Sequence, residues 1–339
     1  MTVAQVLHRA AAQLAPVAGA AARLEAEVLL ATVRGADRVR LLAALREPVS
    51  TAEEEALARL VSRRCCGEPL AYLVGQQEFM SLTFKVNRNV LVPRPETEVL
   101  VEAALKVLAQ EGWRRPTVVD VGTGCGNIAL SLAHYFPRAR VIATDLSGAA
   151  LAVARRNARR LGLDARVSFY RGDLLTPLFA CRRACPGLKA RAYLRATGWP
   201  ACPGPYGGTR SKGREVCPQW AVPCRPTGAE VIVANLPYIP SAELASLPPE
   251  VRHEPRLALD GGGDGLVPYR RLLRQVPLVL RRGGYLLLEM SPAQAEELCA
   301  LLCRAGFFKV EIVLDYGGQP RVILGKLFLI SRKKQILGV

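Results

Sequence analysis

The chain has 339 residues, half of them hydrophobic, and a formal net charge of +17. A chain of this length can bury a sizeable core in about one to three domains, and its apolar runs are too short or too interrupted for a transmembrane helix. The positive charge favours an anionic partner such as nucleic acid, but it is equally typical of a soluble, Arg-rich protein. The first residues lack a basic region followed by an apolar core, so we expect no secretory signal and a cytoplasmic location.

Residues 1–75 carry the pattern of a small helical bundle. Apolar residues recur at three- and four-residue steps, and the segment 50–67 has acidic residues near its start and basic ones near its end. That order of charges suits the dipole of a helix. Residues 76–93 then alternate apolar and polar side chains, with Asn87–Asn89 in a turn. We expect a β-hairpin that joins the helical domain to the rest of the chain.

From residue 94 to residue 339, helical and strand patterns alternate. Such alternation predicts an α/β fold with a mostly parallel, Rossmann-like sheet that helices cover on both faces. The last two strand patterns are separated only by a short connection that contains Gly317 and Gly318. They should therefore pair antiparallel at one edge of the sheet.

Residues 178–229 interrupt this pattern. The segment is rich in Pro, Gly, Lys and Arg, and it holds five of the ten cysteines. A connection this long is uncommon inside a compact domain, so we interpret it as a loosely packed insertion. A passive insertion, a basic loop facing nucleic acid and a zinc site are the alternatives. Only one cysteine pair has zinc-like spacing, so we predict no metal.

The segment "VVDVGTGCGNIAL" at 118–130 predicts a strand, a glycine-rich turn and a helix. Gly122, Gly124 and Gly126 allow a tight turn and the close approach of a ligand to the backbone. Their spacing differs from the usual dinucleotide fingerprint. Asp120 at the strand end suits an ammonium group better than a pyrophosphate. The motif therefore favours S-adenosylmethionine over NAD.

Acidic residues follow the next two predicted strands. Asp145 comes 19 residues after Gly126, where a carboxylate can accept hydrogen bonds from ribose hydroxyls. Asp173 follows the third strand and could accept the exocyclic amino group of adenine. Each has a simpler alternative, since Asp145 could cap the helix that starts near Ser147 and Asp173 could be an ordinary turn residue.

The segment "VIVANLPYIP" at 231–240 ends a buried-looking strand in Asn235-Leu236-Pro237-Tyr238. The side-chain oxygen of Asn235 can accept one N–H of a planar amide or aromatic amine. The carbonyl of Leu236 can accept the other, with its direction fixed by Pro237. Both bonds strengthen as the nitrogen gains positive charge, so they favour the transition state of methyl transfer. Tyr238 offers a face for the planar group.

Together these motifs resemble the class I S-adenosylmethionine-dependent methyltransferases that act on amide or base nitrogen. The segments "LVGQQEFMSLTFKVNRNVLVPRPETEVLVEAAL" at 73–105 and "RHEPRLALDGGGDGL" at 252–266 resemble the HemK/PrmC family more closely. So does "LDYGGQPRVILGKL" at 314–327. This family comprises the protein-glutamine N5-methyltransferases of peptide chain release factors. The resemblance spans nearly the whole chain except 178–229, and Leu236 stands where the family usually has Pro.

The resemblance implies methylation of the glutamine in the Gly-Gly-Gln motif of release factors, with S-adenosylmethionine as cofactor and the helical domain 1–75 gripping the substrate. We expect a monomer that does not need nucleic acid. The residues expected to bind the cofactor are Asp120, Gly122, Gly124, Gly126, Asp145, Asp173 and Asn235. Those expected to bind the substrate glutamine are Asn235, Leu236, Pro237, Tyr238, Arg94, Pro95 and Glu96. Those expected to act in catalysis are Asn235, Pro237 and Tyr238.

Two other functions stay open on the sequence. The Asn-Leu-Pro-Tyr string also resembles rRNA adenine dimethyltransferases, so the alternative is an adenine-N6 methyltransferase acting on rRNA or DNA. The net positive charge is consistent with such a substrate, whereas the N-terminal helical bundle argues against it. A non-catalytic binding protein, disabled by the insertion, is the third possibility.

Overall fold

The computed structural model describes residues 1–180 and 228–328. The predicted insertion at 178–229 lies almost entirely outside the described residues, as does the end of the chain. Among the helices that are described, none is both long and apolar enough to cross a bilayer.

The N-terminal region is a bundle of helices with its own apolar core. The helices are α1 (Val3–Ala18), α2 (Ala22–Arg34), α3 (Arg38–Ala43), α4 (Thr51–Cys65) and α5 (Leu70–Val74). Capping boxes begin α1 at Thr2 and α4 at Ser50. Arg64 in α4 forms a buried ion pair with Glu25 in α2 and reaches Glu250 in the later part of the chain. The bundle is therefore connected to the rest of the molecule through a charged contact.

A β-hairpin follows the bundle. It consists of β1 (Gln76–Phe79) and β2 (Leu82–Lys85), which pair antiparallel. Its turn lies at Met80 and Ser81, both of which have positive φ. The sequence instead suggested Asn87–Asn89 as the turn. Those residues form a separate turn after β2, which the Asn87 side chain closes by accepting from the Asn89 amide.

Asn157 holds the hairpin against the second part of the chain. Its side-chain oxygen accepts the Lys85 amide at 2.7 Å, and its Nδ2 donates to the Lys85 carbonyl at 3.0 Å. The same Nδ2 donates to the Cys125 carbonyl at 2.9 Å. One fully buried asparagine thus joins β2 to the loop around Cys125.

In the described residues, seven strands form one sheet in the order β5-β4-β3-β6-β7-β9-β8. They are β3 (Thr117–Val121), β4 (Arg140–Asp145), β5 (Val167–Arg171), β6 (Ala229–Ala234), β7 (Leu280–Glu289), β8 (Phe307–Leu314) and β9 (Pro320–Leu327). The first five in spatial order are parallel, and β9 runs antiparallel to both of its neighbours. The predicted α/β fold with an antiparallel edge is confirmed.

Helices cover both faces of this sheet, each over its own apolar cluster. They are α6 (Glu98–Gln110), α7 (Asn127–Tyr135), α8 (Gly148–Arg160), α9 (Pro177–Ala180), α11 (Val267–Gln275) and α12 (Ala295–Arg304). The short helix α10 (Pro249–Arg252) instead contacts the N-terminal bundle. The strands are rich in Val, Ile and Leu because both faces of a parallel sheet are buried. This packing fixes the strand ends, and the ends position the site described next.

Candidate active site

A cleft opens where the parallel strands end. The segments that follow β3, β4, β5 and β6 meet at this edge, which is the edge where open α/β sheets bind ligands. The linker residues 89–94 and the segment 255–260 form the opposite wall. The cleft therefore lies between the sheet and the chain that joins it to the helical bundle.

The glycine loop after β3 lines the cleft through Gly122 and Gly124, whereas Gly126 packs against Leu130 and Ala154. Gly122, Gly124 and Gly126 all have positive φ, at 77°, 56° and 88°. A Cβ atom on Gly122 would lie 3.3 Å from the Leu236 side chain. The loop therefore needs glycine at this position for its backbone angle and for its close contact with the segment after β6.

Asp145, at the end of β4, lines the cleft and organises its backbone. One carboxylate oxygen accepts the Gly124 amide at 2.9 Å, and the other accepts the Ser147 amide at 2.7 Å. Ser147, rather than Asp145, is the N-cap of α8. Burial raises the pKa of Asp145, and the backbone hydrogen bonds oppose this rise. Its oxygens keep further lone pairs for ligand hydroxyls.

Asp173 also lines the cleft, after β5. It forms an ion pair with Arg271 of α11, a residue that the sequence did not single out. Leu174 beside it and Leu146 after β4 add apolar wall. This end of the cleft combines a carboxylate with apolar side chains, which suits a planar heterocycle with an amino group.

Asp120 lies below the glycine loop and does not line the cleft. It is fully buried, and its carboxylate accepts a hydrogen bond from the Thr123 hydroxyl at 2.6 Å. Burial raises the pKa of Asp120 to about 7. The prediction that this carboxylate meets an ammonium group directly is therefore not supported by the geometry. Its contact with Thr123 instead supports the loop from beneath.

Asn235, Leu236 and Pro237 line the cleft next to the glycine loop. The Asn235 Nδ2 donates to the Thr97 hydroxyl oxygen at 3.2 Å. The Leu236 carbonyl lies 3.3 Å from the hydroxyl of Tyr269, whose nearer acceptor is the Glu289 carbonyl at 2.7 Å. The predicted polar acceptors thus come together at one end of the cleft.

Tyr238 is mostly buried and is not part of the cleft lining. Burial raises the pKa of Tyr238 to about 12. Its carbonyl accepts Gln294 Nε2 at 3.0 Å. A Cβ on Gly265 would lie only 2.3 Å from this carbonyl oxygen, which explains a glycine there. The ring packs against the apolar cluster of the sheet, and its contact with a planar substrate group stays a prediction.

Arg94 connects the linker to the segment after β6. It lines the cleft and forms an ion pair with the buried Glu254, which also accepts the Val92 amide at 2.9 Å. Burial raises the pKa of Glu254, and the Arg94 guanidinium opposes that rise. Pro95 and Glu96 begin a short 3₁₀ helix and do not line the cleft. Of the three predicted hinge residues, Arg94 lines the cleft directly, whereas Glu96 acts on the buried Glu289 beside Asn235.

Four residues around the cleft were missed by sequence reasoning. Thr97, Glu254 and Arg271 gain their roles only through partners far along the chain. Glu289 carried a usable signal, since it is a lone carboxylate at the end of the apolar run "YLLLEM". It is 2% exposed and lies beside Asn235. A charge at such a position is rarely buried without a partner or a task.

Comparison with known proteins gives two family matches. Residues 5–75 match the family described as PrmC N-terminal domain, and residues 118–183 match a methyltransferase domain family. The methyltransferase match covers the glycine loop, Asp145 and Asp173.

The chain is 45% identical to the release factor glutamine methyltransferase of Moorella thermoacetica, over 96% of this chain and 98% of that protein. It is 37% identical to the protein of the same name in Geobacter sulfurreducens, over 96% and 97%. Among solved structures, the hMettl16 catalytic domain in complex with MAT2A 3′UTR hairpin 1 has a TM-score of 0.50 at 15% identity, covering 80% of this chain and 82% of that chain. That last likeness concerns the fold alone.

Proposed function

The chain belongs to the release factor glutamine methyltransferases, and we propose that it transfers a methyl group to the side-chain nitrogen of glutamine in a peptide chain release factor. The resemblance read from its motifs is thereby confirmed. The cofactor is S-adenosylmethionine. Within the release factor, the acceptor we propose is the glutamine of the Gly-Gly-Gln motif.

One observation carries this proposal most directly. The Nδ2 of Asn235 donates to the Thr97 hydroxyl oxygen. The side-chain oxygen of Asn235 is therefore left to accept an N–H from a ligand in the cleft. The Gly122 loop lies against Leu236, the next residue. An acceptor for an amide N–H therefore lies beside the loop that would hold a methyl donor, as methylation of an amide nitrogen requires.

The cleft residues fit S-adenosylmethionine. The glycine loop lets a ligand approach its backbone, Asp145 offers carboxylate oxygens for ribose hydroxyls, and Asp173 lies beside apolar wall for adenine. When bound, the cofactor supplies a methyl group on a sulfonium centre. Asp120 contributes to cofactor binding indirectly, through Thr123 and the loop above it.

The chain's own contribution to the reaction is to orient the acceptor amide. An amide nitrogen is a weak nucleophile because its lone pair is delocalised. The Asn235 oxygen accepts one N–H, and the Leu236 carbonyl, with its direction fixed by Pro237, accepts the other. Both bonds strengthen as the nitrogen becomes positive, so they lower the barrier more than they tighten binding. Tyr238 supports this segment from the core.

We propose that the substrate protein is held by the N-terminal domain 1–75 together with the linker 76–93, which leads to the methyltransferase domain 94–339. Arg94, at the end of this linker, lines the cleft. Leu257, in the segment 255–260 that also lines the cleft, is 54% exposed. Pro95 and Glu96 place Thr97 behind Asn235. We further propose that the protein is a monomer, that it acts in the cytoplasm with the release factors, and that it does not need nucleic acid.

The test is methyl transfer from labelled S-adenosylmethionine, with purified release factor and total ribosomal RNA offered side by side. We expect label on the release factor, and we expect it to disappear when the Gly-Gly-Gln glutamine is changed to alanine. Label on the RNA alone would contradict the proposal and favour adenine-N6 methylation. Absence of both label and cofactor binding by calorimetry would favour the non-catalytic alternative.

A further inference from the structure

We propose that Glu289 is a positioning residue that fixes which end of the Asn235 amide faces the cleft. The proposal rests on the proposed function, because it concerns how Asn235 receives the substrate nitrogen. Two further groups would then orient Asn235, namely the buried Glu289 carboxylate on a neighbouring strand and the Thr97 hydroxyl.

The sheet brings these groups together. Strands β6 and β7 are parallel neighbours, and their last register pair is Ala234 with Leu288. Asn235 and Glu289 each come one residue later, so they leave adjacent strands side by side. The Tyr269 hydroxyl donates to the Glu289 carbonyl at 2.7 Å, which holds the backbone of Glu289 in place. The carboxylate thus lies beside Asn235, away from solvent.

The hydrogen bonds then have one consistent direction. An ionised carboxylate can only accept, and the side chains of Thr97 and Asn235 both interact with it as hydrogen-bonding groups. Thr97 can give its one hydroxyl proton to Glu289 while its oxygen accepts from Asn235 Nδ2. The amino end of Asn235 is therefore drawn towards Thr97 and Glu289. Its oxygen is left to face the cleft.

This orientation matters because the two ends of an asparagine amide have nearly the same shape. A reversed Asn235 would present an NH₂ donor to the N–H of the substrate amide, and the two donors would repel. A negative charge behind the amide also favours positive charge that develops in front of it. Glu289 therefore acts on the acceptor nitrogen through Asn235 without touching it.

The charge state of Glu289 depends on several surrounding groups. Burial raises the pKa of Glu289 to about 7, and Glu96 on the 3₁₀ helix acts in the same direction. Thr97, Asn235 and the guanidinium of Arg321 on β9 oppose the rise. Tyr238 and Tyr269 also face the group and stay neutral, since burial raises their pKa values. The oxygen Oε2 has no hydrogen-bond partner among the described residues. The carboxylate is thus ionised only as the pH rises through about 7.

The experiment compares kcat, the KM for release factor and the cofactor Kd in four variants. Glu289→Gln keeps the shape but removes the obligate acceptor, so the Asn235 amide can reverse. We expect kcat to fall at least about tenfold, with cofactor Kd within about twofold of the wild type. The rise of kcat through about pH 7 should also disappear. Thr97→Val should lower kcat in the same way, whereas Thr97→Ser should keep most of it.

Glu230→Gln is the matched control. Glu230 lies at the start of β6, at the opposite end of the sheet, where it accepts the Thr117 amide and pairs with Arg281. A wild-type kcat in this variant would show that replacing a partly buried glutamate does not by itself impair turnover.

The outcomes separate the two proposals. A wild type that does not methylate release factor would overturn the proposed function and this assignment with it. An active wild type with kcat and pH profile unchanged in Glu289→Gln would overturn the assignment alone. If Glu289→Gln fails to fold, the Thr97 pair decides: equal kcat in Thr97→Val and Thr97→Ser overturns the assignment, and loss only in Thr97→Val supports it.

Discussion

The two ends of the cleft are built by different means. The cofactor end is built mainly from backbone, since the glycine loop adopts positive φ angles and Asp145 accepts main-chain amides of two loops. The acceptor end is built from side chains that meet from three distant segments, namely Thr97, Asn235 and Glu289. Local backbone geometry therefore determines where the methyl donor would bind. Tertiary packing determines how the methyl-accepting amide would be oriented.

This difference predicts that substitutions at the two ends of the cleft affect different kinetic parameters. Changes at the acceptor end should lower kcat with little effect on cofactor affinity. Changes at the cofactor end should weaken cofactor binding and leave kcat at saturating cofactor nearer to its normal value.

The largest effect is expected for Asn235→Ala. This variant removes the oxygen that we propose accepts the substrate N–H, and loss of one such group typically lowers kcat about 10²- to 10³-fold. The cofactor Kd, measured by calorimetry, should stay within about threefold of the wild type. Normal turnover in this variant would contradict the proposed difference between the two ends, because Asn235 would then have no role in orienting the substrate amide.

Asp145→Ala should have the next largest effect, on the cofactor Kd rather than on kcat. The carboxylate accepts two backbone amides, and we propose that it also accepts the ribose hydroxyls, so we expect the cofactor Kd to rise about 10- to 100-fold. Asp164→Ala, at an exposed aspartate after α8, is the control and should leave the Kd unchanged. An unchanged Kd in Asp145→Ala would remove this residue from the cofactor site.

Gly122→Ala should affect both ends, because the glycine loop contacts Leu236. We expect roughly tenfold losses in cofactor affinity and in kcat, from backbone strain and from the new Cβ contact together. Gly162→Ala is matched for positive φ, at 67°, but its Cβ would meet nothing within 4 Å. Strain alone should therefore lower stability in the control without changing either kinetic parameter.

The smallest effect concerns stability. Burial raises the pKa of Asp120 to about 7, so the native state holds a proton that the unfolded chain releases at lower pH. The stability associated with Asp120 is thus fully present below the unfolded pKa and is lost as pH rises through about 7. Asp120→Asn cannot ionise, so its thermal midpoint relative to wild type should rise by a few degrees between pH 5 and pH 8. A constant difference across that range would contradict this ionisation.

Sequence patterns predicted the sheet, its antiparallel edge and the positions of the glycine loop, Asp145, Asp173 and Asn235. Each of these depends on strand periodicity or on a motif within a few residues. The role of Asp120 was not predictable, because the depth of a strand end below a loop depends on helix packing. The Arg94–Glu254 pair was also inaccessible, because its members lie 160 residues apart. The two family-specific segments that contain them touch only in the folded chain.

The bonds of Asn157 to Lys85 and Cys125 have a consequence for local opening of the structure. Because one buried side chain serves both segments, detachment of the hairpin removes the two Lys85 hydrogen bonds that help to orient the Asn157 amide towards the Cys125 carbonyl in the glycine loop. The two segments should therefore open as one cooperative unit in amide hydrogen exchange. Saturation with cofactor should slow exchange of the Lys85 amide, although that amide lies outside the cleft lining. Binding at the cofactor end of the cleft would then be detectable at the hairpin that joins the helical bundle to the sheet.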